Sequence, residues 1–251
     1  MNEEKFTRRA EAYAKHRPGY PDSLLEYLYT ELGFSKSSVI ADIGAGTGIF
    51  SEYMLRRGST VYGVEPNEDM RLKAEERFSG YKNFRSVCAS AEHTGLNAAS
   101  VDDITAAQSF HWFDKALFRA ECQRILRPDG IVALIWNSRD AQSPLTQEND
   151  ALNRKYCLRY KGFSGGVRTE DAGQFADFFR DGAYFRNSFR NDLLFDKEGF
   201  IGRNLSGSYA PLPEEEAYAP YVRELTQLFE KYKNGGLICI PNTTYCYAGK
   251  V

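Results

Sequence analysis

The chain has 251 residues, of which 42% are hydrophobic and 26% charged, an ordinary composition for a globular protein. That length fits one large α/β domain, or a core domain with a substantial insertion. The 32 Lys and Arg residues are balanced by 34 Asp and Glu residues, for a formal net charge of −2. This balance argues against nucleic acid as a main partner, because neutralising many phosphates usually requires a basic excess.

The cysteine and histidine patterns exclude further classes of protein. Five scattered cysteines form no CxxC pair, so we expect reduced thiols and no disulfide framework. Three distant histidines lack zinc-ligand spacing, and we predict no metal site. The sequence has neither a signal-like apolar start nor an apolar run of the ~18–20 residues that a membrane helix needs. We therefore predict a soluble, cytoplasmic protein without membrane contact.

Between residues 39 and 136, short apolar runs alternate with helical patterns. Strands are predicted at residues 39–43, 60–65, 84–88, 104–107 and 131–136, and helices at 47–57, 67–78 and 114–126. Asn67 and Asp114 are suited to cap two of these helices. Residues 127–130, Arg-Pro-Asp-Gly, are predicted to form a turn. Strands separated by helices predict a doubly wound parallel sheet, in the α/β class.

The pattern changes after Asn137. Residues 138–181 look helical and polar, with a glycine-rich break at 162–166. Residues 184–194 alternate as a strand does, residues 197–233 are predicted to be helical, and residues 243–248 to form the last strand.

The segment after the first strand, Asp42-Ile43-Gly44-Ala45-Gly46-Thr47-Gly48, has the composition of a ligand-binding turn. In open α/β sheets, ligands bind at the carboxyl ends of the strands, and glycines let the backbone approach a ligand closely. The spacing is G-x-G-x-G, whereas the dinucleotide fingerprint is G-x-G-x-x-G. Ile49 occupies the position of that third glycine, which weakens the prediction of a nicotinamide-binding protein.

Glu65 ends the second predicted strand. A carboxylate there can accept both ribose hydroxyls of an adenosyl group. Asp42, at the turn, can act on an amino-acid end of the same ligand, directly or through water. The turn and Glu65 together therefore predict a site for a nucleoside-bearing ligand.

These motifs resemble those of the class I S-adenosylmethionine-dependent methyltransferases. Residues 39–48 resemble their first motif, residues 61–66 the second-strand motif, and residues 126–130 their L-[KR]-P-G-G turn, with Asp129 in place of a glycine. The resemblance implies a Rossmann-like, seven-stranded, mostly parallel sheet. It also implies that the cofactor is S-adenosyl-L-methionine and the product S-adenosyl-L-homocysteine.

A closer resemblance is to a small-molecule subgroup that includes the trans-aconitate methyltransferases. It rests on residues 13–21, 107–113 and 243–250. It implies an N-terminal helical segment (1–36) that covers the site and a cofactor-binding core (37–137). Residues 138–251 would complete the sheet and supply a helical cap (138–181 and 197–238) that selects the substrate.

The resemblance also implies the contacts of the cofactor. The predicted cofactor-binding residues are Tyr13, Asp42, Gly44, Ala45, Gly46, Thr47, Gly48, Glu65, Pro66, Met70, Ala91, Glu92, Gln108, Phe110 and Trp112. Ala91 and Glu92 would border the adenine, and Met70 would pack on it. Plain core packing for Met70 and a solvated loop acid for Glu92 remain the alternatives.

The aromatic residues Phe110 and Trp112 suit a cationic sulfonium, since ring faces attract cations by roughly 0.5–2 kcal/mol. The alternative is that they cover the end of the sheet as packing. The sequence gives His111 two possible roles, as a general base or as a loop anchor held by hydrogen bonds.

Arg17 and Tyr20 are candidates at the reacting end. Arg17 can pair with an acidic substrate, or it can be a solvated surface residue.

The hypothesis is in-line methyl transfer to a small-molecule acceptor, and a carboxylate acceptor would need no base. A nicotinamide-dependent oxidoreductase and an inactive S-adenosylmethionine-binding regulatory module remain the alternatives. A monomer and a homodimer both fit the sequence.

Overall fold

The structure is a computed structural model that describes residues 19–163 and 175–251. The predicted roles of Tyr13 and Arg17 lie outside these residues. So do the first half of the N-terminal segment and most of the predicted glycine-rich break.

Seven strands form one twisted sheet in the order β3-β2-β1-β4-β5-β9-β6. The chain has nine strands in its described part: β1 Val39–Ile43, β2 Thr60–Val64, β3 Phe84–Val87, β4 Val101–Ala107, β5 Leu126–Arg139, β6 Phe185–Arg190, β7 Leu193–Phe195, β8 Ile238–Ile240 and β9 Asn242–Gly249. Neighbours from β3 to β5 pair in parallel, and β9 runs antiparallel to both β5 and β6. The predicted seven-stranded, mostly parallel sheet is confirmed.

Within residues 19–163 and 175–251 the structure has seven α-helices: α1 Asp22–Thr30, α2 Ile49–Arg56, α3 Glu68–Arg77, α4 Lys115–Ile125, α5 Pro144–Tyr156, α6 Lys197–Leu205 and α7 Tyr218–Tyr232. Both predicted caps are confirmed. The side chain of Asn67 accepts the Met70 N–H at 3.0 Å, and that of Asp114 accepts the N–H groups of Ala116 and Leu117. No helix in the described part of the chain is long and apolar enough to cross a membrane.

The sheet has a buried core on each face. Ala41 and Ile43 of β1 face one core together with Trp136, while Ile40 faces the other core together with Phe50. Residues 131–136 of strand β5 are all apolar, as expected for a strand segment that is covered on both faces. A third core lies among α5, α6, α7 and the small β7–β8 sheet, so this region packs around its own interior.

Several predicted boundaries are wrong. The turn at residues 127–130 is an irregularity within β5, where the pairing shifts from Val101–Leu126 to Asp103–Ile131. A Cβ at Gly130 would lie 2.4 Å from the Asp102 carbonyl, so the bulge requires a residue without a side chain. Strand β5 also continues to Arg139, and the described helix in the following region is limited to α5.

The predicted strand at 184–194 is two strands in different sheets. After β6, the Asn191 N–H bonds to the Asn242 carbonyl, and the Asp192 carboxylate accepts the Asn242 N–H. These bonds turn the chain, so β7 pairs with β8 instead. Strand β8 is only three residues long and was missed. The helical prediction for 197–233 is interrupted between α6 and α7.

Candidate functional site

The predicted site segments converge at one edge of the sheet. Residues 44–48 follow β1, Glu65 follows β2, residues 90–92 follow β3, and Gln108 follows β4. These four strands are parallel, so their carboxyl ends lie side by side. Strand order reverses between β1 and β4, which is the position where such sheets bind ligands.

The three glycines of the turn all have left-handed backbones, with φ of 68° at Gly44, 58° at Gly46 and 80° at Gly48. A Cβ at Gly44 would lie 2.5 Å from the Ser109 side chain, and one at Gly48 would lie 2.3 Å from the Phe78 ring. At Gly46, a Cβ would meet no atom of the described residues within 4 Å. Gly44 and Gly48 are therefore fixed by packing, whereas Gly46 faces open space that a ligand can occupy.

The Glu65 carboxylate is held against this open glycine. Its Oε2 accepts the Gly46 N–H and its Oε1 accepts the Asn67 N–H, both at 2.9 Å. A carboxylate offers about four acceptor positions, more than these two bonds use. The two backbone bonds fix the carboxylate before any ligand arrives.

Asp42 has different surroundings from those predicted. Its side chain is 1% exposed, and its two oxygens accept hydrogen bonds from Ser51 (2.6 Å) and Thr105 (2.8 Å). The carboxylate thus ties β1 to α2 and β4 instead of facing a ligand. Burial raises the pKa of Asp42 to about 6, although the hydrogen bonds from Ser51 and Thr105 oppose that shift.

Three other predicted cofactor contacts lie in or beside the turn. Ala45 donates its N–H to the Val64 carbonyl at 3.1 Å, and both Ala45 and Pro66 are half-buried. Thr47 is buried, and its hydroxyl has no hydrogen-bond partner among the residues that the structure describes. A buried hydroxyl of this kind is a candidate donor to a ligand.

The loop after β3 is anchored to helix α4 at two points. Glu92 accepts the Asp114 N–H at 2.9 Å, and the Glu121 carboxylate accepts the Thr94 N–H at 2.8 Å. Ala91 is buried in the core of the sheet. The loop is therefore rigidly placed, and Glu92 serves as one of its anchors. Met70 is also buried, near the start of α3.

The aromatic residues after β4 differ in burial: Phe110 lies in the core, whereas Trp112 is half-buried. The Phe110 ring is 1% exposed and contacts the rings of Trp136 and Phe178 at centroid distances of 6.0 and 4.9 Å. Phe110 is thus a core residue, as in the packing alternative that the sequence left open. Trp112 is half-buried, with its ring 4.6 Å from that of His111.

Gln108 has a left-handed backbone, with φ of 58°, although it is not a glycine. Its N–H bonds to the Ile135 carbonyl at 2.9 Å, and its side-chain amide donates to the Asn137 carbonyl at 3.0 Å. Strained backbones of this kind concentrate at functional sites. Gln108 therefore fixes the geometry where the chain leaves β4.

Tyr20 lies against the helix that follows the glycine turn. Its N–H donates to the Tyr53 hydroxyl at 3.0 Å, and its ring packs edge-on against Phe50 at 4.8 Å. The structure thus places Tyr20 beside α2, the helix that begins directly after the glycine turn.

Sequence reasoning missed four polar residues at this edge. Ser109 donates to the Ile43 carbonyl at 2.7 Å, and Asn137, Asn191 and Thr244 share a hydrogen-bond network. The sequence signal was weak: Asn137 directly follows the apolar strand, and Ser109 stands within the segment already selected. Among the described residues, no group of three His, Cys, Asp or Glu side chains is placed to hold a metal ion.

Comparison with known proteins matches residues 41–134 to the family model described as a methyltransferase domain. An uncharacterized methyltransferase of Mycobacterium tuberculosis is 33% identical over 129 residues, which are 51% of this chain and 50% of the relative. An uncharacterized methyltransferase of Schizosaccharomyces pombe is 31% identical over 144 residues, 57% of this chain and 56% of the relative. The match spans about half the length of these curated relatives.

Solved structures share the fold over nearly the whole chain. A protein of Anabaena variabilis, named as a methyltransferase from an antibiotic biosynthesis pathway, superposes with a TM-score of 0.64 at 22% identity, covering 92% of this chain and 98% of that one. A methyltransferase of Geobacter sulfurreducens in complex with S-adenosyl-L-homocysteine superposes with a TM-score of 0.56 at 16% identity, covering 98% of both chains. At these identities the likeness concerns the fold alone.

Proposed function

We propose that this protein transfers a methyl group from S-adenosylmethionine to a small-molecule acceptor, because residues 41–134 match the family model described as a methyltransferase domain. The observation that carries the proposal is the open face of Gly46 beside the fixed carboxylate of Glu65. A backbone that a ligand can approach closely is joined there to an acceptor for ribose hydroxyls.

The residues at this edge would contact three different parts of an adenosyl ligand: the ribose, the amino-acid end and the adenine. Glu65 would accept the ribose hydroxyls, and Gly44, Gly46 and Thr47 would border the amino-acid end. Met70, Ala91 and Glu92 would border the adenine. Asp42 would act only through β1, α2 and β4, because its carboxylate is buried among their hydroxyls.

The bound cofactor would supply an electrophilic methyl carbon on a cationic sulfonium. The protein's contribution would be mainly positional, and holding reacting groups in line is worth on the order of 7–11 kcal/mol. Gln108 and the Trp112 ring, which lie after β4, would border the reacting end. The placement of Gln108 is fixed by its bonds to the Ile135 and Asn137 carbonyls.

His111 is our candidate for removing a proton from a hydroxyl, phenol or amine acceptor. Its ring lies between those of Trp112 and Trp136, with centroids 4.6 and 6.2 Å away. A carboxylate acceptor, as the similarity to the trans-aconitate subgroup suggests, would need no base, and Arg17 would then pair with it. A small acceptor is favoured by the balanced charge of the chain, which suits neither DNA nor RNA.

The test is to incubate the protein with S-adenosylmethionine carrying a labelled methyl group and a metabolite extract, and to identify the labelled product. We expect label in a small molecule, and none with the Glu65→Ala variant. Binding of S-adenosylhomocysteine without any label transfer would identify an inactive binding module instead. Binding of NADH without S-adenosylhomocysteine binding would identify an oxidoreductase.

A further inference from the structure

Residues 19–21, which we call the edge bridge, connect two parts of the site that are far apart in sequence. The bridge leads directly into helix α1, where the Leu24 N–H bonds to the Pro21 carbonyl at 3.0 Å. The peptide group that joins Gly19 to Tyr20 is bonded on both sides, through its N–H to helix α2 and through its carbonyl to the far part of the sheet.

The N–H of this peptide group and the Tyr20 ring contact helix α2. The Tyr20 N–H donates to the Tyr53 hydroxyl at 3.0 Å, and the Tyr20 ring packs on Phe50 and Tyr53. Both partners belong to α2, the helix that begins directly after Gly48. A Cβ at Gly19 would lie 2.3 Å from the Tyr53 hydroxyl, so this contact also requires a glycine in the bridge.

The carbonyl of the same peptide group is bonded to residues of β5 and of the loop after β6, which lie beyond the point where the strand order reverses. The Gly19 carbonyl accepts from the side-chain amides of Asn191, at 3.2 Å, and Asn137, at 3.4 Å. Asn191 also bonds to the Asn137 side chain at 3.2 Å and to Thr244 at 3.0 Å, and Thr244 donates to Asn137. These three residues lie at the end of β5, after β6 and in β9, all at the carboxyl edge of the parallel strands.

We infer that the edge bridge couples the glycine-turn helix to the far half of the sheet, and that Asn191 and Tyr53 are positioning residues for the S-adenosyl ligand. The inference rests on the proposed function. Asn191 is placed after β6, the edge strand, whereas the glycine turn follows β1 near the middle of the sheet. Its route to the cofactor side runs through the Gly19 carbonyl and the Tyr20 N–H. Losing either the Tyr53 bond or the Asn191 bond releases the same peptide group, so we expect the effects of the two substitutions not to be additive.

The test measures binding of S-adenosylhomocysteine by calorimetry, and its dissociation rate by stopped-flow fluorescence. The variants are Asn191→Ala, Tyr53→Phe and the double variant. Asn191→Asp keeps the shape of the side chain but cannot donate to the Gly19 carbonyl, so it should behave as Asn191→Ala does. Asn187→Ala is the matched control, because Asn187 lies on β6 and its side chain accepts a local bond from the Ser188 N–H. Thermal unfolding without ligand checks that each variant is folded.

We expect each single variant to weaken binding about 5- to 20-fold, mainly through faster dissociation, and the double variant to be no weaker than the weaker single variant. Asn187→Ala should bind as the wild type does. Unchanged affinity in Asn191→Ala and Asn191→Asp, or losses that multiply in the double variant, would overturn the coupling. Wild-type protein that fails to bind S-adenosylhomocysteine would overturn the proposed function, and this inference with it.

Discussion

The buried carboxylate of Asp42 predicts an unusual dependence of stability on pH. The perturbation is Asp42→Asn, which keeps the shape of the side chain and removes its charge. The amide oxygen can still accept from Ser51, and the amide nitrogen can donate to the Thr105 hydroxyl, which then acts as an acceptor. The variant should therefore fold with its hydrogen bonds kept and without the cost of a buried charge.

The magnitude follows from the pKa of Asp42, which burial raises from 3.8 to about 6 in the folded protein. Between these values the unfolded chain has released its proton and the folded protein still holds it, so stability falls as pH rises. A shift of about two pKa units corresponds to about 3 kcal/mol. About 2 kcal/mol of that develops between pH 4.5 and 7.5.

The assay is urea unfolding of the wild type and Asp42→Asn at several pH values from 4.5 to 7.5. The difference in free energy of unfolding should shift by about 2 kcal/mol in favour of the variant as pH rises across this range. Ser51→Ala should show the opposite trend, since losing a donor raises the pKa of Asp42 further. Parallel pH profiles for the wild type and Asp42→Asn would refute the reasoning.

Two further predictions concern the turn and its neighbouring loop. Gly48→Ala should lower the free energy of unfolding by at least about 2 kcal/mol, from left-handed strain and contact with Phe78. Gly46→Ala should cost only about 1 kcal/mol but weaken S-adenosylhomocysteine binding; equal stability losses in urea unfolding would contradict this contrast. Burial opposes ionisation of Glu121, but hydrogen bonds from Arg124 and Thr94 outweigh it and lower its pKa to about 2. Glu121→Gln should therefore reduce stability at pH 7 by about 1–3 kcal/mol, and the deficit should shrink as pH falls from about 4.5 towards 2; a constant deficit in urea unfolding would argue against this role.

The sheet could be predicted because its signals are local. Apolar runs such as residues 131–136 and the caps at Asn67 and Asp114 depend on neighbours within a few residues, and the structure confirms them. Strand β8 was missed because three residues give too little periodicity. The division of 184–194 depends on bonds to Asn242, far along the chain, which no local pattern indicates.

The candidate site was likewise predictable only where its signals are local. The glycine turn and Glu65 were recognised because backbone geometry requires glycine at fixed spacing and because Glu65 ends a strand. The partners of Asp42 could not be predicted, since Thr105 is 63 residues away and pairs with Asp42 only through the β1–β4 register. The burial of Phe110 could not be predicted because it depends on Phe178, which the fold brings from a distant segment.

Calorimetric titration of S-adenosylhomocysteine into the wild type and Glu65→Gln tests the central claim most directly. The wild type should bind one equivalent. The variant should bind about 10- to 100-fold more weakly. Its amide NH₂ group would face an N–H donor of Gly46 or Asn67, so the side chain would lose its fixed position. It would also lose the charge of the carboxylate, and hydrogen bonds to charged groups are worth about 1.5–3 kcal/mol. No binding to the wild type, or equal affinity in Glu65→Gln, would contradict the assignment of this edge of the sheet as the cofactor site.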